Sequence, residues 1–148
     1  MAKAFKFRFE QVLEVRRLKE EVAQRDLALA QNAVREQQER IARLLAEEDE
    51  GKLAIRGLKQ KSIDVVQLRL QEGYLVSLER RIREAVAKLQ ELARTEAEKR
   101  KALVEARKAV KVLEKYRERK VRTYGVEQDR AERKFLDEVA QNMARMGT

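Results

Sequence analysis

The chain of 148 residues carries 35 Lys and Arg against 26 Asp and Glu, a net charge of +9, and only 5% of it is aromatic. It holds no Cys, His, Trp or Pro. Those absences exclude a disulfide framework, a thiolate nucleophile, a Cys/His zinc site and the usual general base near neutral pH. Five Gly and no Pro leave few turns, which disfavours loop-rich and sandwich folds. Abundant Ala, Glu, Lys, Leu and Arg with helical periodicity is the composition of long helices or coiled coils.

The opening MAKAFKFRFEQVLEVRRLKEE has neither a long apolar run nor a small-residue cleavage site, so no secretory signal is expected. Nothing approaches the roughly 18 apolar residues of a membrane span. The expectation is a soluble, cytoplasmic protein.

From Leu27, alternating steps of three and four residues reach Leu58, with seven of ten positions apolar; Gln37, Glu48 and Gly51 are the exceptions. Upstream, Val15, Leu18 and Val22 keep the spacing in a shifted frame, which predicts a local adjustment of the supercoil. Gly57 suits a helix C-terminus, as do Lys59 and Lys61. Asp64 followed by Gln67 has capping-box spacing, and Ser62 is a second candidate N-cap. These signals predict a first helix over about 8–57, a turn over about 58–63 and a second helix over about 64–143. The helices would be roughly 75 Å and 120 Å long.

The second helix is the more regular. From Leu68 to Leu113 its a/d series is apolar at eleven of fourteen positions. Glu96 and Lys99 interrupt it, as a register-fixing or splayed turn or as a buried functional pair. Gly51 and Gly73 read as tolerated imperfections or as a hinge. A short connection makes neighbouring helices antiparallel. The predicted fold is all-α: one long antiparallel two-helix coiled-coil hairpin over residues 1–148, monomeric, with a C-terminal helical overhang. With the turn near residue 61, position n faces about 122 − n. Phe5, Phe7 and Phe9 then lie near Leu113 and Tyr116, as a hydrophobic clasp or as a patch for a partner. Beyond about residue 118 the second helix lacks a partner, leaving Val121, Tyr124, Phe135, Leu136 and Val139 partly bare.

Charge is concentrated. Residues 99–122 carry 11 basic and 3 acidic side chains, a net of +8. Arg94, Lys101, Lys108, Lys115 and Arg122 all take the f position, opposite the apolar seam. The stripe is a solvated face, or it meets an acidic protein, an anionic membrane or nucleic acid. It has no base-reading module and no interleaved aromatics, which weakens the nucleic-acid reading. Neither GxxxxGK[ST] nor GxGxxG occurs. Glu47, Glu48 and Asp49 splay about 100° apart on a helix and do not converge on one ion. No enzyme, metal, cofactor or small-molecule substrate is expected.

The opening FKFRFEQVLEVRRLKEEVAQRDLALA resembles the start of the flagellar FliJ proteins. Residues 106–140 resemble their C-terminal signature, with Val112, Leu113, Glu114 and Lys115, then Asp137, Glu138, Val139 and Ala140. The resemblance implies an antiparallel coiled coil like the central stalk of rotary ATPases, within the flagellar type III export apparatus. Its place would be cytoplasmic, peripheral at the inner face of the cell membrane. It implies three partners: the hexameric export ATPase, into which the open end with both termini inserts; the export-gate membrane protein; and export chaperones. Phe5, Phe7 and Phe9, with Lys101, Lys108, Lys115 and Arg122, are the candidates for the ATPase contact. Tyr74 and Leu78 match the second-arm aromatic and Leu of the family's gate-contacting face. On the first arm only Leu44 stands where some members carry aromatics. The alternatives are a stalk of a virulence-type secretion system and a basic coiled-coil binder of nucleic acid or membrane surfaces.

Overall fold

The structure, a computed structural model, describes residues 4–61 and 64–147. Two helices, α1 over Glu10–Gln60 and α2 over Val65–Met146, pack against each other as an all-α antiparallel hairpin. The chain divides into two compact units. One is Val22–Leu103, which contains the turn. The other joins Met1–Glu21 to Val104–Thr148.

Asp64 caps α2. Its Oδ1 accepts from the Val66 amide at 3.0 Å, and its carbonyl accepts from Leu68 N at 3.0 Å. Those bonds satisfy amides that the first turn leaves without helical partners. Gln67 makes no bond back, so the box is half formed. Ser62 lies outside the described residues. At the other side of the turn, α1 does not stop at Gly57 but runs to Gln60. No described glycine takes a positive φ, so Gly57 forms no left-handed cap and simply continues the helix. α1 also starts at Glu10 rather than about residue 8, because Arg8 and Phe9 form a turn ahead of it.

In the unit Val22–Leu103, the core is built on Leu44, Leu78 and Ala85, with Ile41, Leu75 and Ile82 packed around them. Each is a seam residue of the 3/4 alternation. Leu78 is 0% exposed. Gln37 is the polar residue buried in this seam, and its Nε2 donates to the Ala85 carbonyl at 2.9 Å. That bond removes the penalty of burying an amide and ties the two helices at one register. Glu96 turns to Arg100 on its own helix, at 2.8 Å, and does not pair with Lys99. Gly51 is buried, and a Cβ there would lie 2.8 Å from Leu75 Cδ2. Gly51 is therefore a close-packing position, whereas Gly73 faces open space.

In the other unit the seam of α1 is Leu13, Arg16 and Glu20, not the shifted series through Val15. Val15 and Leu18 are 50% and 60% exposed, and Val22, just across the boundary, is 54% exposed. The expected frame shift is thus absent. The seam stays in phase because long polar side chains fill it: Arg16 donates to the Ala109 carbonyl at 2.9 Å, and Glu20 pairs with Arg107 at 3.7 Å. Their aliphatic stems cover the seam while their charged ends reach its edge. The intrachain cover of α2 also extends past residue 118, since Phe5 packs on Tyr124. Beyond that, residues 129–147 are exposed apart from the half-buried Val139.

Candidate partner-binding surfaces

The segment FKFRF alternates aromatic and basic residues, and an extended chain sends alternate side chains to opposite sides. Residues 4–7 lie outside any helix or strand, a turn over Arg8 and Phe9 follows, and helix α1 begins only at Glu10. This places Phe5, Phe7 and Phe9 along α2. Phe7 meets Tyr116 with centroids 5.9 Å apart, and Phe9 meets it at 6.1 Å. Phe7 and Phe9 stand edge to face at 5.9 Å, and Phe5 meets Tyr124 at 5.5 Å. Such pairs add about 0.5–1.5 kcal/mol each beyond area burial. Glu10 and Arg117 lock the cluster with a 3.0 Å ion pair, while the same guanidinium lies 5.9 Å from the Phe5 ring. The three phenylalanines are thus brought together as a clasp, with Phe7 buried and Phe5 and Phe9 half exposed.

A cavity of about 340 Å³ opens on this cluster, between Phe5, Phe7, Phe9 and Tyr116, with Lys6, Arg8 and Lys120 in its lining. Sequence reasoning passed over those three cations. A signal was present: the a/d frame of α2 turns polar at Arg117 and Lys120, where the non-helical aromatic segment ahead of α1, rather than a helix, lies against it.

Lys101, Lys108, Lys115 and Arg122 are all exposed, as their f positions require. Lys101 belongs to the turn-bearing unit and the other three to the second unit. Lys108 and Arg122 pair only along α2, with Glu105 at 3.5 Å and Glu118 at 4.0 Å. Exposed pairs of this kind are worth about 0–1 kcal/mol and leave the basic face open to an anionic partner.

In the turn-bearing unit, Leu44 and Leu78 are core residues, 9% and 0% exposed, and present no surface to a partner. Tyr74 is the accessible member of that trio. Its hydroxyl donates to Glu47 Oε2 at 3.2 Å. Partial loss of hydration, then the Glu47 charge and hydrogen bond, raise the phenol above its ordinary range. Glu47 is thereby committed to Tyr74 and Glu48 to Lys52, at 3.3 Å, so the EEDE carboxylates point to separate partners. Near the turn, Leu53, Val66 and Leu70 are exposed apolar residues outside the heptad seam, which is why the seam pattern did not single them out. Among the described residues no group of acidic side chains could hold a metal ion, and no helix is long and apolar enough to cross a membrane.

The family described as flagellar FliJ protein matches residues 5–147, which include the aromatic segment and both helices. The chain belongs to the flagellar FliJ family. Membership makes it a protein of flagellar type III export. No curated protein and no solved structure matches the chain.

Proposed function

We propose that this FliJ protein is a non-enzymatic stalk that couples the hexameric export ATPase to the export gate and meets export chaperones. The observation that carries this reading is the family match from residue 5 to residue 147, unbroken from the aromatic clasp to the C-terminal end of α2. It also favours the flagellar over the virulence-type alternative. The role proposed is mechanical: in one unit the helix pair is closed by ring packing of Phe5, Phe7 and Phe9 on Tyr116 and Tyr124, and in the other it is pinned by the Gln37 bond to Ala85. The ATPase contact is assigned to the terminal segment with Phe5 and Phe9 at its surface and to the basic face of Lys101, Lys108, Lys115 and Arg122. At the turn-bearing unit, the gate contact is assigned to Tyr74, with Leu44 and Leu78 holding the helix pair beneath it.

Co-purification with the cognate export ATPase, followed by an ATPase assay, tests the reading. Stable association and a raised turnover rate are expected. A chain that neither co-purifies with the ATPase nor changes its rate, while binding DNA or acidic vesicles, would give the basic coiled-coil alternative the stronger case.

A further inference from the structure

The cavity at the aromatic clasp has a property that ring packing alone does not require. Among the described residues, Lys6, Arg8 and Lys120 in its lining form no ion pair with any carboxylate. The acidic side chains nearby are committed elsewhere: Glu10 to Arg117 at 3.0 Å and Glu114 to Arg17 at 3.4 Å. Two of these three cations are held against rings. The Arg8 guanidinium lies 5.6 Å from the Phe9 centroid, and Lys120 Nζ lies 5.4 Å from the Tyr116 centroid. An apolar floor, a cationic lining and no lining carboxylate define what fits. About 340 Å³ is at the lower end of the range for ligand pockets, which are apolar with a few placed polar groups.

We infer that this cavity receives an aromatic or aliphatic side chain from an acidic peptide segment of a partner protein, whose flanking carboxylates meet Lys6, Arg8 and Lys120. The apolar side chain is buried against Phe9 and Tyr116, and the carboxylates complete charge pairs that the described residues leave open. The net +8 of residues 99–122, which include Tyr116 and Lys120, draws such a segment in. A protein segment suits the concave shape better than a bilayer does. A projecting side chain enters a hollow of this size, whereas a flat anionic surface spans it and touches only the rim. The inference rests on the reading above in taking the segment from a protein partner.

The test is fluorescence anisotropy on the full chain with a labelled glutamate peptide bearing one central phenylalanine. Saturable binding is expected, tighter by about tenfold than for the all-glutamate peptide, because burial of one aromatic side chain is worth at least that factor. Arg8→Glu combined with Lys120→Glu changes exposed residues only, so circular dichroism should be unchanged while affinity falls by about tenfold or more. Equal affinity for the two peptides overturns the inference, as does an affinity that the double reversal leaves intact. Binding to phosphatidylserine vesicles without binding to the phenylalanine peptide also overturns it, in favour of a lipid headgroup. Co-purification of the unmodified chain with the export ATPase reads the stalk proposal separately. Peptide binding without co-purification keeps the cavity and removes the stalk reading; co-purification without peptide binding does the reverse.

Discussion

Two glycines and one glutamine show how single residues act here. A glycine inside a helix costs about 1 kcal/mol against alanine. At Gly73 nothing lies within reach of an added Cβ, so that cost has no compensation. Gly73→Ala should therefore stabilise the hairpin by about 0.5–1 kcal/mol, read as a higher urea midpoint at unchanged slope. At Gly51 the added methyl would meet Leu75 Cδ2 at 2.8 Å, so the leucine must move before the propensity gain appears. Gly51→Ala should gain clearly less than Gly73→Ala, or lose stability. Equal gains at the two sites would remove the close-packing role of Gly51. Gln37 was legible only as a polar interruption of the first seam. Its bond to the Ala85 carbonyl turns that interruption into a register pin.

At the scale of the helices, the periodicity carried most of the information. Every a/d position from Leu68 to Leu113 is buried or half-buried, and so is every position of the alternation from Leu27 to Leu58. The Glu96 and Lys99 positions keep their place in the seam although both are charged. Substituting aspartate into this stripe forces a carboxylate out of water or into its protonated form. Ile82→Asp, beside the Leu44, Leu78 and Ala85 core, should unfold the turn-bearing unit or lower its melting temperature steeply. Leu58→Asp, in the last turn of α1, should cost much less, because helix ends bury less and fray. Thermal denaturation followed by circular dichroism ranks them; similar losses would mean the seam does not concentrate its stability at that core. Upstream of Leu27 the pattern misled. Val15, Leu18 and Val22 look like a seam by hydropathy, but Arg16 and Glu20 occupy it. Hydropathy assigns a long charged side chain to solvent and cannot register the stem that packs or the bond its head makes across the helix pair.

For the whole molecule, the uneven charge matters more than the total. Reversing Lys101, Lys108, Lys115 and Arg122 to Glu changes the charge by eight units at residues that touch no core. The fold should survive, since exposed substitutions of this kind cost within about 0.5 kcal/mol each. On the stalk function proposed above, association with the export ATPase should slow sharply at low salt. At about 0.5 M salt the unmodified protein should lose the same advantage, because the screening length drops well below 8 Å. Stopped-flow association at the two salt concentrations, with circular dichroism as the control for folding, checks both statements. Unchanged rates with an intact helix would make the stripe a solvated face and leave the clasp as the remaining candidate contact.

The sequence by itself determined the helical class, the two-helix division, the cap at Asp64, the basic face and the family, because each is written in local spacing or composition. Only the tertiary structure decided what depends on a facing chain. It showed that Leu44 and Leu78 are spent on packing while Tyr74 stays accessible. It showed that Gly51 makes room for Leu75, and that Arg16 bridges to Ala109. It also put Lys6, Arg8 and Lys120 around one aromatic hollow. The physical reason is the same in each case: a residue's burial and its partners are properties of two segments far apart in the chain, and periodicity within one segment carries no record of the other.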